Sequence, residues 1–124
     1  MQIIKHNISI PLNFRPLIEI DNVCFFAIET MGLSREYHQI YLIGLLYYNN
    51  ESSDWTLIQL LADDLKEEKT LLLEFLDMVK EFDRLVTYNG DSFDIPFVKK
   101  RLERFGVFWD VDNSLDLYRY VREN

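Results

Sequence analysis

A chain of 124 residues with 48% hydrophobic and 15% aromatic residues is long enough for one domain with a real core and too apolar for disorder. Its formal net charge of −8 argues against binding nucleic acid or an anionic membrane by charge alone, but is compatible with an acidic site that meets phosphates through divalent metal ions. One cysteine, Cys24, leaves no intrachain disulfide, Met1–Ile10 has no signal-peptide core, and the longest apolar run, Ile40–Tyr48, falls far below the ~20 residues of a spanning helix, so the expectation is a soluble cytoplasmic domain without a membrane partner.

In chain order, residues 1–22 read as an irregular lead-in. Ile8–Leu12 offers a short extended piece there, and Pro11 and Pro16 forbid a helix. Residues 23–29 read as a strand. Alternation puts Val23, Phe25, Ala27 and Glu29 on one face and Cys24, Phe26 and Ile28 on the other, both apolar up to Glu29. A central strand covered on both sides is expected. Thr30–His38 reads as a loop, Gln39–Tyr48 as a second strand, Asn49–Asp54 as a polar turn and Trp55–Leu61 as a third strand, together an antiparallel meander.

The period then changes. Leu72, Phe75, Leu76, Val79 and Phe82 follow helical spacing, so a helix is predicted over about 66–83. Leu85–Tyr88 is a short strand ended by Asn89-Gly90. Ile95, Val98, Leu102 and Phe105 mark a second helix stopped by Gly106, Ser114–Leu117 a fifth strand, and Tyr118–Asn124 the start of a third helix. The expected fold is α/β, a mixed sheet of about five strands flanked by helices, forming one domain over residues 1–124.

Three groups of residues invite a chemical reading. Glu29, at a strand end, is a solvated carboxylate or a metal ligand. Asp94 taken alone favours a helix N-cap, with Pro96 in the first turn; the functional reading, not exclusive of it, is a metal-facing carboxylate at the helix entrance beside the strand tip. Lys99, Lys100, Arg101 and Arg104 form a solvated basic face or a contact for a phosphate backbone. His38 receives no role.

Phe25-Phe26-Ala27-Ile28-Glu29-Thr30-Met31-Gly32-Leu33, followed downstream by Val86-Thr87-Tyr88-Asn89-Gly90-Asp91-Ser92-Phe93-Asp94-Ile95-Pro96-Phe97, resembles the DEDD 3′–5′ exonucleases of the ribonuclease H-like superfamily. The resemblance is nearest to the predicted ribonuclease H-like exonuclease branch and covers roughly residues 23–120. It implies a ribonuclease H-like sheet, metal-dependent hydrolysis of DNA or RNA from a single-stranded end, and two divalent ions, Mg²⁺ or Mn²⁺, held by four carboxylates. Glu29 and Asp94 fall on metal-ligand positions. Thr30, Gly32, Leu33, Asn89 and Phe93, with Lys99 and Lys100, fall where nucleic acid would lie.

Two departures qualify what the resemblance implies. Ala27 stands where the family has a bridging aspartate. The chain as given ends at Asn124, before the helix expected to bring the last aspartate and the water-orienting residue, so the last helices of the fold are expected to be lacking. Asp116 matches a different family position and is as readily a helix cap. Metal binding is therefore expected to be weak or absent, and the chain as written inactive. Ala27 is open to three readings: a change made to silence the site, a natural degenerate copy, or a site completed by another chain. The well-kept flanking motif favours the first. The alternative function is a non-catalytic module binding nucleic acid or protein on the same fold, with self-association through an uncovered edge.

Overall fold

The computed structural model describes residues 1–9 and 20–123. The elements are β1 (Gln2–Ile8), β2 (Val23–Thr30), β3 (Ile40–Asn49), β4 (Asp54–Leu61), a 3-10 turn (Leu65–Glu67), α1 (Glu68–Val79), β5 (Arg84–Thr87), α2 (Asp94–Arg104), β6 (Ser114–Asp116) and α3 (Leu117–Glu123). They build one six-stranded mixed sheet in the order β1-β4-β3-β2-β5-β6. Strands β2, β3 and β4 form the expected antiparallel meander, while β5 and β6 run parallel to β2.

Two expectations about the bounds of elements need correction. The lead-in is not irregular throughout: Gln2–Ile8 is an edge strand paired antiparallel with Ile8 opposite Trp55 and Gln2 opposite Leu61. Mostly exposed side chains of mixed polarity explain why its alternation reads poorly. The extended piece expected at Ile8–Leu12 falls mainly outside the described residues. The predicted helix over 66–83 is a 3-10 turn followed by an α-helix that ends at Val79. A reciprocal cap opens it, in which the Asp64 side chain accepts from the Lys66 amide at 2.8 Å and the Glu67 side chain from the Asp64 amide at 3.2 Å.

The core lies on one face of the sheet. Cys24, Phe26 and Ile28 of β2, with Ile43 and Leu45 of β3, meet Leu71, Leu72 and Phe75 of α1 and Ile95, Val98 and Leu102 of α2. Burial there pushes the Cys24 thiol up to about 12, which keeps it a packing residue. The opposite face is not covered as the apolar pattern suggested. Phe25 is half-buried, and Ala27 and Glu29 are exposed. A hollow of 320 Å³ opens on that face, lined among others by Ala27, Gly44, Leu46, Leu57, Tyr88 and Leu117. No helix of the described residues is long and apolar enough to cross a membrane.

α2 ends where Gly106 adopts a φ of +74°, a conformation glycine reaches without penalty, and its amide donates to Glu103 O at 3.0 Å. Arg101 turns inward from that helix. Its guanidinium is 3% exposed and grips Glu68 of α1 through two bonds of 2.8 and 2.7 Å. The same Glu68 accepts from the Ile40 amide at 2.9 Å, and Arg101 donates to Glu36 O at 3.0 Å. One ion pair thereby ties α1, α2, the start of β3 and the loop before it, so Arg101 does not belong to a solvated basic face.

Removing one partner of such a pair strands the other charge in the core. Arg101→Met is expected to lower unfolding free energy by about 3–5 kcal/mol, against under about 0.5 kcal/mol for Arg104→Met at an exposed position of the same helix. Urea midpoints for the two variants check the contrast.

Candidate active site

The site forms where β2 outruns β5. The two strands pair only from Val23 with Arg84 to Phe25 with Val86, so further along β2 the side facing β5 has no ladder partner. The Asp94 carboxylate fills that gap, accepting from the Ile28 amide through Oδ2 at 3.1 Å. This bond spans 66 residues of sequence and brings the start of α2 onto the end of β2.

The N-cap alternative for Asp94 does not hold. Asp94 is the first residue of α2, Phe93 occupies the cap position, and no side chain caps the helix. The carboxylate reaches across to the strand instead. It is 8% exposed, and its pKa is raised above the ordinary 3.8. Burial is the chief cause, the amides of Ile28 and of Asp94 itself oppose it, and the carboxylates of Asp116 and Glu29 add to it. Glu29 is thus an electrostatic neighbour of Asp94, although 65 positions separate them in the chain. Glu29 is itself exposed on the open face of the sheet.

Ala27 lies on the same strand face as Glu29, opposite Gly44 of β3. It is exposed, and a Cβ added at Gly44 would meet nothing within 4 Å. Packing therefore does not demand a small side chain at position 27.

Asp116 stands near this pair but is already committed. Its Oδ1 accepts from the Asn89 amide at 2.7 Å and, as the cap of α3, from the Tyr118 amide at 3.0 Å; Oδ2 accepts from the Asp91 amide at 3.2 Å. Both of its oxygens hold the 89–91 loop and the helix start in place. Among the described residues no three His, Cys, Asp or Glu side chains gather closely enough to hold a metal ion. With no oxygen at Ala27, one Asp94 oxygen engaged by the strand and Asp116 spent on backbone amides, the residues present do not fit a two-metal centre.

The remaining sequence-nominated residues border this place on two loops and one helix. Thr30 donates its hydroxyl to Gly32 O at 2.6 Å, and Leu33 projects 85% exposed. A Cβ on Gly32 would fall 2.5 Å from the His38 ring, which in turn accepts from the Ser34 amide at 2.9 Å, so His38 shapes the loop. Asn89 sits at a φ of +60°. Phe93 is half-buried, its ring 5.2 Å from that of Phe97. Lys99 is half-buried and Lys100 exposed, the latter 3.9 Å from Glu103.

Sequence reasoning passed over Thr87. It is 3% exposed, its hydroxyl has no hydrogen-bond partner among the described residues, and Gly90 packs on it so closely that a Cβ there would come within 2.1 Å of Oγ1. Gly90, read from sequence only as part of the Asn89-Gly90 pair that ends the strand, was the available signal for this contact.

A family model described as the RNase_H superfamily matches residues 24–124. A DNA polymerase of Thermococcus gorgonarius is 37% identical over 89 residues, covering 66% of this chain and 12% of that protein. A DNA polymerase of Methanocaldococcus jannaschii is 43% identical over 42 residues, covering 34% of this chain and 3% of that protein. Among solved structures, the family B DNA polymerase from the hyperthermophilic archaeon Pyrobaculum calidifontis shares the fold at a TM-score of 0.63 and 21% identity, covering 82% of this chain and 16% of that one. The chain thus spans only a small part of the length of the relatives it matches.

With its carboxyl pKa raised, folded Asp94 binds its proton more tightly than the unfolded chain does. Stability therefore falls as pH rises from 3.8 through the raised value, and returns as pH falls. Asp94→Asn keeps an acceptor for the Ile28 amide and removes the charge, so its melting temperature at pH 7 is expected to equal or exceed the native one, with the gap closing on acidification. Asp94→Ala orphans the amide and is expected to cost about 1–3 kcal/mol at pH 7. Thermal melts of the three proteins from pH 4 to pH 7 check both outcomes.

Proposed function

The chain belongs to the RNase H superfamily, and from that premise we propose that it is a domain of DEDD 3′–5′ exonuclease type whose catalytic centre is incomplete as the sequence stands. The observation that carries this reading is the convergence of three positions: Glu29 and Ala27 on one face of β2, and Asp94 clipped to the same strand from α2. Both sequence motifs of the exonuclease resemblance meet there.

Phosphodiester hydrolysis in such a centre needs carboxylates enough to hold Mg²⁺ or Mn²⁺ against phosphate. Glu29 and Asp94 are the two that remain. Without the carboxylate at 27 the chain is proposed not to cleave. The nucleic-acid role rests on the surround: exposed Leu33 and the Thr30–Gly32 turn on one side, Asn89 and Phe93 on the other, and Lys99 and Lys100 along α2. A single-stranded end of DNA or RNA is the substrate class this arrangement suits, because exposed side chains on loops can meet unpaired bases.

A second reading has its own support. The open sheet face and its apolar hollow beside Ala27 suit a non-catalytic binding module that kept the fold and lost the chemistry. Restoring the carboxylate separates the two readings. Ala27→Asp has room opposite Gly44 and is expected to raise Mn²⁺ affinity by about tenfold or more, since affinity follows ligand charge. Titration calorimetry with Mn²⁺ checks this. Cleavage of a single-stranded oligonucleotide by the unaltered chain, lost in Glu29→Gln, would refute the inactivity. Unchanged Mn²⁺ affinity in Ala27→Asp would favour the binding module.

A further inference from the structure

At the pole of the sheet opposite Glu29 lies a second concavity. It sits at the start of β5, where Arg84 pairs with Val23, six residues and roughly 20 Å along β2 from Glu29. The cavity measures 360 Å³ and opens between the end of α1 and the 109–113 segment before β6. Val79, Phe82, Leu85, Trp109 and Val111 give it an apolar wall. Trp109 is held there by edge contacts with Phe75 at 5.5 Å and Phe26 at 6.3 Å, so the wall is braced from the core.

The 109–113 segment alternates. Trp109 and Val111 turn in and are half-buried, whereas Asp110 and Asp112 are exposed at the mouth. Among the described residues neither carboxylate has an ion-pair or hydrogen-bond partner. The cations nearby are engaged elsewhere: Lys80 pairs with Asp77 at 2.6 Å, and Arg84 donates through Nε to Asn113 Oδ1 at 3.4 Å. Asn113 also donates to Asp83 O at 2.6 Å, which fixes this segment to the turn before β5.

We propose that this cavity docks a short segment of a partner protein in which one large apolar side chain is flanked by lysine or arginine. The apolar wall takes the anchor, as a hydrophobic pocket takes a central interface residue. The flanking cations meet Asp110 and Asp112, which supply orientation and rate of encounter. A chain of net charge −8 adds a long-range field that draws in a basic partner and repels an acidic one. The inference is independent of the nuclease reading, because it uses no residue of that site.

The test uses the whole chain and a fluorescein-labelled peptide, Arg-Leu-Phe-Arg-Lys, read by anisotropy. The peptide is expected to bind, with affinity falling as salt rises. The surface double variant Asp110→Asn/Asp112→Asn should keep the native melting temperature and bind at least about fivefold more weakly. Glu29→Gln should bind as the native chain does. Four results would each overturn the proposal: no binding below about 1 mM peptide, equal binding of Glu-Leu-Phe-Glu-Asp, a double variant that binds unchanged, or phenethylamine alone binding as tightly as the peptide.

Discussion

The hydrogen bond from the Ile28 amide to the Asp94 carboxylate is the constraint on which the site depends. A strand that outruns its neighbour leaves amides with no ladder partner, and an unpaired buried amide is costly. Here a side chain from the first turn of α2 takes the place of the missing strand. Burying a carboxylate to do so is itself unfavourable, and the raised pKa of Asp94 records that penalty. The arrangement makes sense if a carboxylate is wanted there, within electrostatic reach of Glu29. A purely structural clip would be served as well by asparagine.

Around that contact, other polar groups position backbone. Arg101 and Glu68 bind α1, α2, the start of β3 and the Glu36 carbonyl into one buried network. Asp116 holds the 89–91 loop with two amide contacts and caps α3 with a third, and His38 supports the turn at Gly32. Both loops that border Glu29 and Asp94 are thus set by side chains outside the site. Ala27 is different. It is exposed beside the hollow and stands opposite Gly44, where an added Cβ would meet nothing within 4 Å.

Runs of apolar, β-branched and aromatic residues made β2, β3, β4 and the short β5 legible in the sequence. The helix of Asp94 was equally legible from its 3.6-residue spacing and from Gly106 at its end. Strand β1 was not, since its burial comes from pairing with β4 and the side chains carry little pattern. The direction of Arg101 was hidden for a similar reason. Its neighbours Lys99 and Lys100 suggest a basic surface, and only the partner Glu68, 33 residues earlier, draws it inward. For Asp94 the local rule pointed to a helix cap, and tertiary contact overrode it. Glu29 and Asp94 were nominated by motif, but their approach could be read only from the fold, because it depends on β5 ending before β2 does.

Carbon-13 NMR titration of the Asp94 carboxyl, in the native chain and in Glu29→Gln, tests the convergence most directly. The Asp94 pKa is expected to lie above 3.8 in the native chain and to drop when the neighbouring charge at 29 is removed. An Asp94 pKa at or below 3.8, or one indifferent to Glu29→Gln, would mean that the two carboxylates do not share a site.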